Sequence, residues 1–237
     1  MDIVYLCRPG ENPELRYSLR SLQNVRSPWS GERRVWIFGD APAWVSRPNV
    51  RVVHSPQQNS AYASTRTHLR RAIEDDRVSD PFALWNDDFY AMRPVWLVPM
   101  HQGPMSALLL KERRGETRWV KGLRETLDLL RAHGYDEPLS YDVHTPLLIR
   151  KDAAREALKM AAQVKEDAVH VRSIYAALAG LNGLNGLQIK DPKMHHRLDP
   201  FPTGAWLSSS AATFRLTVEP VLRYTFPHRS IYEKEMS

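Results

Sequence analysis

A single cysteine, Cys7, is all the thiol chemistry the chain carries. That excludes an internal disulfide framework and a cysteine-based zinc site. No apolar run approaches the ~18 residues a membrane span needs. Neither Gly-x-Gly-x-x-Gly nor Gly-x4-Gly-Lys-Ser/Thr occurs, so a dinucleotide fingerprint and a P-loop have no support. Low-complexity tracts and heptads are missing too; the short duplication at residues 180–186 reads as a loop or turn. Residues 1–6 lack a basic region and enter a strand-like run at once, which predicts no cleaved leader. Together these absences lead to the expectation of a cytoplasmic protein with no membrane partner. Cys7, without a neighbouring motif, reads as a buried strand-end residue.

What is present is ordinary globular composition: 237 residues, 43% hydrophobic and 25% charged. We expect one domain over residues 1–237, with a first half to residue 110 and a second from residue 111. The formal charge is +6, from 33 Lys and Arg against 27 Asp and Glu. Arginine outnumbers lysine, and its planar fork suits phosphate as well as a solvated surface.

The first half alternates strand-like and helix-like pieces. Residues 2–7, a short apolar run, and residues 34–38, 50–54 and 82–85 read as strands. Residues 14–24 and 62–74 read as helices, the first with Leu15, Leu19 and Leu22 on one face. This order calls for an α/β fold with a mostly parallel central sheet flanked by helices. Farther on, 107–110 reads as a strand and 116–133 as a helix stopped by Gly134. Residues 143–150 read as a strand broken by Pro146, then a helix capped by Asp152 and another over 167–178. From residue 190 the chain is rich in proline, serine and aromatics, and reads as an irregular segment facing an acceptor.

Ligands of open parallel sheets bind outside the carboxyl ends of the strands. Cys7-Arg8, Gly39-Asp40, His54-Ser55 and Asn86-Asp87-Asp88 fall there. Two adjacent acids after a buried strand rarely serve packing. Asp87 and Asp88 can present oxygens to Mg2+ or Mn2+, and the ion would neutralise a pyrophosphate. Arg8 can meet a diphosphate, and Asp40 can accept hydrogen bonds from a nucleoside. Asn59 and Arg66 lie before and within the helix preceding the acids; Arg70 shares the Arg66 face. His144 can deprotonate an acceptor hydroxyl or become a third metal ligand, with Asp142 orienting it from the same strand face. Asp167 with His170, followed by Arg172-Ser173, is a second candidate pair, and His195-His196 a third. Trp85 and Trp206 read as core or rim residues.

Residues 12–22, Asn-Pro-Glu-Leu-Arg-Tyr-Ser-Leu-Arg-Ser-Leu, resemble the opening region of the Stealth sugar-phosphate transferases. The resemblance continues through Val35 to Asp40, Pro42-Ala43-Trp44, Asn59-Ser60, Phe82 to Asp88 and Arg93-Pro94, thus roughly residues 2–95. Asp142-Val143-His144-Thr145-Pro146 is similar to a later His-x-Pro element. The same half looks like the nucleotide-sugar half of a GT-A glycosyltransferase, with Asn86-Asp87-Asp88 standing where those enzymes carry Asp-x-Asp. Residues 208–214 and 226–233 look like small glycosyltransferases of actinobacterial viruses. These resemblances imply a GT-A-like fold and a nucleoside diphosphate sugar, a UDP-sugar foremost, as donor, with Mn2+ or Mg2+ at Asp87 and Asp88. They also imply a role for Arg66 on the nucleotide phosphates.

The first functional expectation is therefore a metal-dependent glycosyltransferase. Its acceptor hydroxyl would belong to a glycan, to a protein, or to a hydroxymethylated base in viral DNA within the host cytoplasm. A Stealth-like transfer of sugar-1-phosphate is the alternative. A metal nuclease, or a non-catalytic nucleic-acid-binding module, is the reading from other classes.

Overall fold

The computed structural model describes residues 1–26, 33–112, 115–166, 168–186, 189–190 and 204–235. The first half runs β1 (Asp2–Cys7), α1 (Pro13–Ser21), β2 (Val25–Arg26), β3 (Arg34–Gly39), β4 (Val50–Val53), α2 (Ala61–Glu74) and β5 (Phe82–Asn86). There follow β6 (Phe89–Ala91), β7 (Val95–Trp96), β8 (Met100–His101), α3 (Met105–Lys111), α4 (Arg118–Ala132), β9 (Leu147–Ile149), α5 (Lys151–Ala161) and α6 (Val171–Leu178). The last elements are β10 (Leu184–Asn185), β11 (Ile189–Lys190), β12 (Trp206–Ser208), α7 (Ala211–Thr213), a π-helical stretch Phe214–Val218 and α8 (Glu219–Thr225).

The central sheet has the order β4-β3-β1-β5-β9. Its first four strands are parallel, and β9 adds an antiparallel edge on β5 with Leu84 opposite Leu147. The α/β, mostly parallel sheet expected from the sequence is thus present. Every residue of β1 is buried, as a central strand covered on both faces requires. Alternation sorts its side chains: Val4 and Leu6 join Trp36, Phe38, Phe82 and Leu84 under α2, α4, α5 and α6. Ile3, Tyr5 and Cys7 face the opposite way, with Val35, Ile37 and Trp85 under Leu15 and Leu19 of α1. Cys7 is buried and free, as expected.

Chain order and sheet order disagree between β1 and β5: from β1 the chain first builds outward through β3 and β4, then returns to the other side. Such a reversal opens a crevice at the carboxyl ends of the two strands. The crevice mouth is tightened by Gly39 at the end of β3. Its φ is +120°, and a Cβ there would stand 2.1 Å from the Cys7 carbonyl oxygen, so only glycine lets these two strand ends approach.

Several expectations are corrected. Residues 107–110 are helical, within α3, because Met105, Leu108 and Leu109 pack on the core at helical spacing while Leu110 is exposed. Only Leu147–Ile149 of the expected strand 143–150 pairs, and it begins just after Pro146, which has no N–H to give a ladder. Asp142 and His144 therefore sit in irregular chain, and strand alternation does not govern them. Helix α5 has Arg150 at its cap position, with Asp152 in the first turn. Helix α6 starts at Val171; Asp167 and His195-His196 lie outside the described residues. The tail is less irregular than expected, since residues 211–225 form a helical run whose Phe214, Val218 and Leu222 cluster with Tyr17, Tyr90 and Leu207. The duplication at 180–186 contributes a short ladder, β10 on β8. No helix among the described residues is long and apolar enough to cross a membrane.

Candidate active site

Strand β5 ends at Asn86, and the chain turns at once to begin β6 at Phe89. The turn consists of Asp87 and Asp88, so both carboxylates stand at the crevice mouth. Asp87 Oδ2 accepts a 2.6 Å hydrogen bond from Asn12 Nδ2, and Arg8 Nε lies 3.6 Å from the same oxygen. Arg8 also donates through Nη2 to Glu14 Oε1 at 2.9 Å. Burial and repulsion from Asp88 push the Asp87 carboxyl up to about 7, against the pull of Arg8 and Asn12.

Asp88 is met from the far end of the chain. Ser208, on β12 opposite Phe89 of β6, donates to Asp88 Oδ2 at 3.2 Å and lies 3.1 Å from His144 Nδ1. An ionised carboxylate only accepts, so the one hydroxyl proton goes to Asp88. The network then assigns the His144 proton to Nδ1, donating to Ser208, and makes Nε2 the basic nitrogen. His144 Nδ1 is 3.7 Å from Asp88 Oδ2.

Asp142 is tied to α4. Its Oδ2 accepts from Trp119 Nε1 at 2.8 Å and stands 3.8 Å from His170 Nε2. Burial raises the Asp142 carboxyl, but His170, Trp119, Arg172 and His144 together carry it below its usual value. The Arg172 guanidinium is lowered by burial to about 10, while Asp142 and Asp88 oppose the shift. His170 stacks on Trp119 at 5.1 Å, and neither of its ring nitrogens has a hydrogen-bond partner; Arg172 Nε is likewise unpartnered.

Two adjoining cavities occupy the crevice. One, about 170 Å³, is lined by Cys7, Arg8, Gln57, His68 and Asp87. The other, about 220 Å³, is lined by Tyr62, Arg66, Asp142, His144, His170 and Arg172. Leu6, Ala61, Thr65 and Asn86 line both, so the first turn of α2 forms part of their common wall. A helix start of this kind favours negative charge. A larger hollow, about 480 Å³, lies apart, between the end of α1 and residues 225–232.

The structure thus brings Arg8, Arg66, Asp87, Asp142 and His144 to one crevice, with His170 and Arg172 beside them; Asp88 lines neither cavity and meets the larger one through His144. Asp40 stands one strand over, its Oδ1 2.9 Å from His54 Nδ1, and lines neither cavity. Asn59 and Arg70 are exposed and line neither. Ser173 is structural, accepting from the Tyr141 amide. Trp85 and Trp206 are buried against each other, as expected. Sequence reasoning did not single out Asn12, Trp119 or Ser208 as site residues. The helix-starting Asn12-Pro13 was a usable signal for the first; nothing local marks the other two.

Among the described residues, no group of three His, Cys, Asp or Glu could by itself hold a metal ion. Asp87, Asp88 and His144 do not form such a group. A hard cation that keeps positions for substrate phosphate needs only one or two protein carboxylates. The repulsion that raises Asp87 is what such an ion would relieve. Asp87 and Asp88 thus fit Mn2+ or Mg2+ shared with a diphosphate.

No protein-family model matches the chain, and no curated protein matches it by sequence. Solved structures do. A crystal structure of the galactosyltransferase LgtC with donor and acceptor sugar analogs aligns over 98% of each chain, with TM-score 0.53 and 12% identity. That of an LgtC active-site mutant aligns over 98% of each chain, with TM-score 0.51 and 13% identity. The likeness establishes the GT-A-type fold.

Proposed function

We propose that the chain is a glycosyltransferase that lays a nucleoside diphosphate sugar across the carboxyl end of its sheet and passes the sugar to a hydroxyl acceptor. The observation that carries this reading is the acid pair at the β1/β5 reversal, with Asp87 flanked by Arg8 and lining the smaller of two joined cavities. The whole-length likeness to LgtC, a galactosyltransferase crystallised with donor and acceptor sugar analogs, supports it.

Asp87 and Asp88 would hold Mn2+ or Mg2+, which when bound stabilises the diphosphate as it departs. Arg8 faces the same phosphates, and the first turn of α2 adds its positive end. The smaller cavity, beside Cys7 and His68, takes the nucleoside side; Asp40 and Asn59 serve at most at its rim. The larger cavity takes the sugar. Asp142, held ionised, accepts hydrogen bonds from hydroxyls but is a weak base. His144, its ring fixed by Ser208, is the better group to take the acceptor proton through Nε2 as oxygen attacks the anomeric carbon. Residues 111–237, which supply His144, Arg172 and Ser208, form the acceptor-side half.

The resemblance of residues 2–95 to Stealth proteins favours a second reading, attack on phosphorus with transfer of sugar-1-phosphate. The leaving group separates the two. Incubation with UDP-glucose or UDP-galactose, Mn2+ and acceptors including hydroxymethylated DNA is expected to release UDP, with the acceptor gaining a hexose mass. Release of UMP, with phosphorus in the product, would replace the first reading by the second.

A further inference from the structure

The structure assigns Asn12 as the positioning residue of the acid pair: its side-chain amide holds Asp87 in the orientation that receives the metal ion. This inference rests on the metal reading of Asp87 and Asp88.

Three separate demands meet at position 12. Its backbone is left-handed, φ 40° and ψ 64°, unlike the extended conformation usual at a helix cap. Its Oδ1 accepts from the Leu15 amide at 3.3 Å and so starts α1. Its Nδ2 donates to Asp87 Oδ2 at 2.6 Å. Asparagine meets all three. Glycine would keep the backbone alone, and serine the cap alone. Aspartate would keep backbone and cap, but set a like charge against Asp87. The residue is 5% exposed, so water does not replace the bond easily.

The bond has a directional consequence. Among the described residues, the close polar contacts of Asp87, from Asn12 and from Arg8, both fall on Oδ2. Oδ1 is left for a ligand, and the carboxylate cannot swing without giving up its amide donor. Helix α1 is itself anchored by buried Leu15 and Leu19, so the amide is held by the fold. Outer-shell donors to metal-binding carboxylates change metal affinity by about 10- to 100-fold when removed.

The test is a calorimetric titration of the Mn2+–UDP complex into native protein, Asn12→Gly and Thr117→Ala. Thr117 caps α4 through the Val120 amide, so its variant reports the loss of a cap away from the acid pair. Native protein and Thr117→Ala are expected to bind one Mn2+–UDP equally, and folded Asn12→Gly about tenfold more weakly. Should Asn12→Gly not fold, Asn12→Ser keeps a cap acceptor, is too short to reach Asp87, and takes its place. A loss of less than threefold in the Asn12 variant overturns the assignment while leaving the metal site standing. Equal weakening in Thr117→Ala also overturns it. Absence of Mn2+–UDP binding to native protein overturns the metal reading, and this inference with it.

Discussion

Replacing Asp88 with alanine is expected to lower nucleotide-sugar turnover by about a thousandfold, measured as kcat/KM for UDP release at saturating Mn2+. The substitution removes half of the acid pair and leaves the diphosphate facing Asp87 alone. It also frees the Ser208 hydroxyl, and with it the group that fixes His144. The cost to the fold is expected to be small, because the Asp88 side chain is 20% exposed and stands on a turn. Asp88→Asn isolates the charge, since an amide oxygen can still accept from Ser208. Both variants should melt near the native temperature and both should lose turnover. An Asp88→Ala protein within tenfold of native activity would contradict the role given to the pair.

The second large effect is on stability. Glu233 is reached by Arg20 through Nε at 2.8 Å and Nη2 at 2.8 Å, and by Arg16 at 3.0 Å. Its side chain is 1% exposed, and it also accepts from the Ser230 amide. Beside it, the Ser46 amide donates to the Tyr232 carbonyl and the Lys234 amide to the Trp44 carbonyl. These bonds fasten the end of the chain to α1 and to the loop after β3. Removing one partner of a buried ion pair leaves the other uncompensated, at a cost of about 3–5 kcal/mol. Glu233→Ala should therefore melt about 10 °C below native.

The same group sets a pH signature. Burial alone would raise the Glu233 carboxyl, but Arg20, the Ser230 amide and Arg16 hold it below the ordinary glutamate value. A lowered folded value means the unfolded chain binds the proton first as pH falls. The stabilisation is complete above about pH 4.3 and is lost as pH drops through the folded value. Native protein should lose this increment under acid and Glu233→Ala should not. A melting-temperature difference that is small at neutral pH, or unchanged by acid, would refute the assignment.

How far the sequence foretold all this varies with the range of the interaction. The parallel strands were legible because a doubly covered strand must be apolar along its buried length, and residues 3–7, 35–38 and 82–85 are. The acid pair was legible because carboxylates are costly beside such a strand without a partner or ligand. Helix α3 was misread because a four-residue apolar run has no period of its own. Asp142 and His144 were placed together correctly but for the wrong reason. Pro146 delays the strand, and each side chain finds a different partner, Trp119 in one case and Ser208 in the other. The bonds from Asn12 to Asp87 and from Ser208 to Asp88 cross 75 and 120 residues. Only the assembled sheet brings such residues together, so local pattern carries no trace of these pairings, even where Asn12-Pro13 marks a helix start.

The central claim is that Asp87 and Asp88 bind the diphosphate of a nucleotide-sugar through a divalent ion. Its most direct test is calorimetric titration of native protein with UDP-glucose and UDP-galactose, with Mn2+ and after chelation. At least one donor is expected to bind with Mn2+ and at least tenfold more weakly without it. Equal affinity in the chelated protein, or binding of neither donor in the presence of Mn2+, would contradict the account.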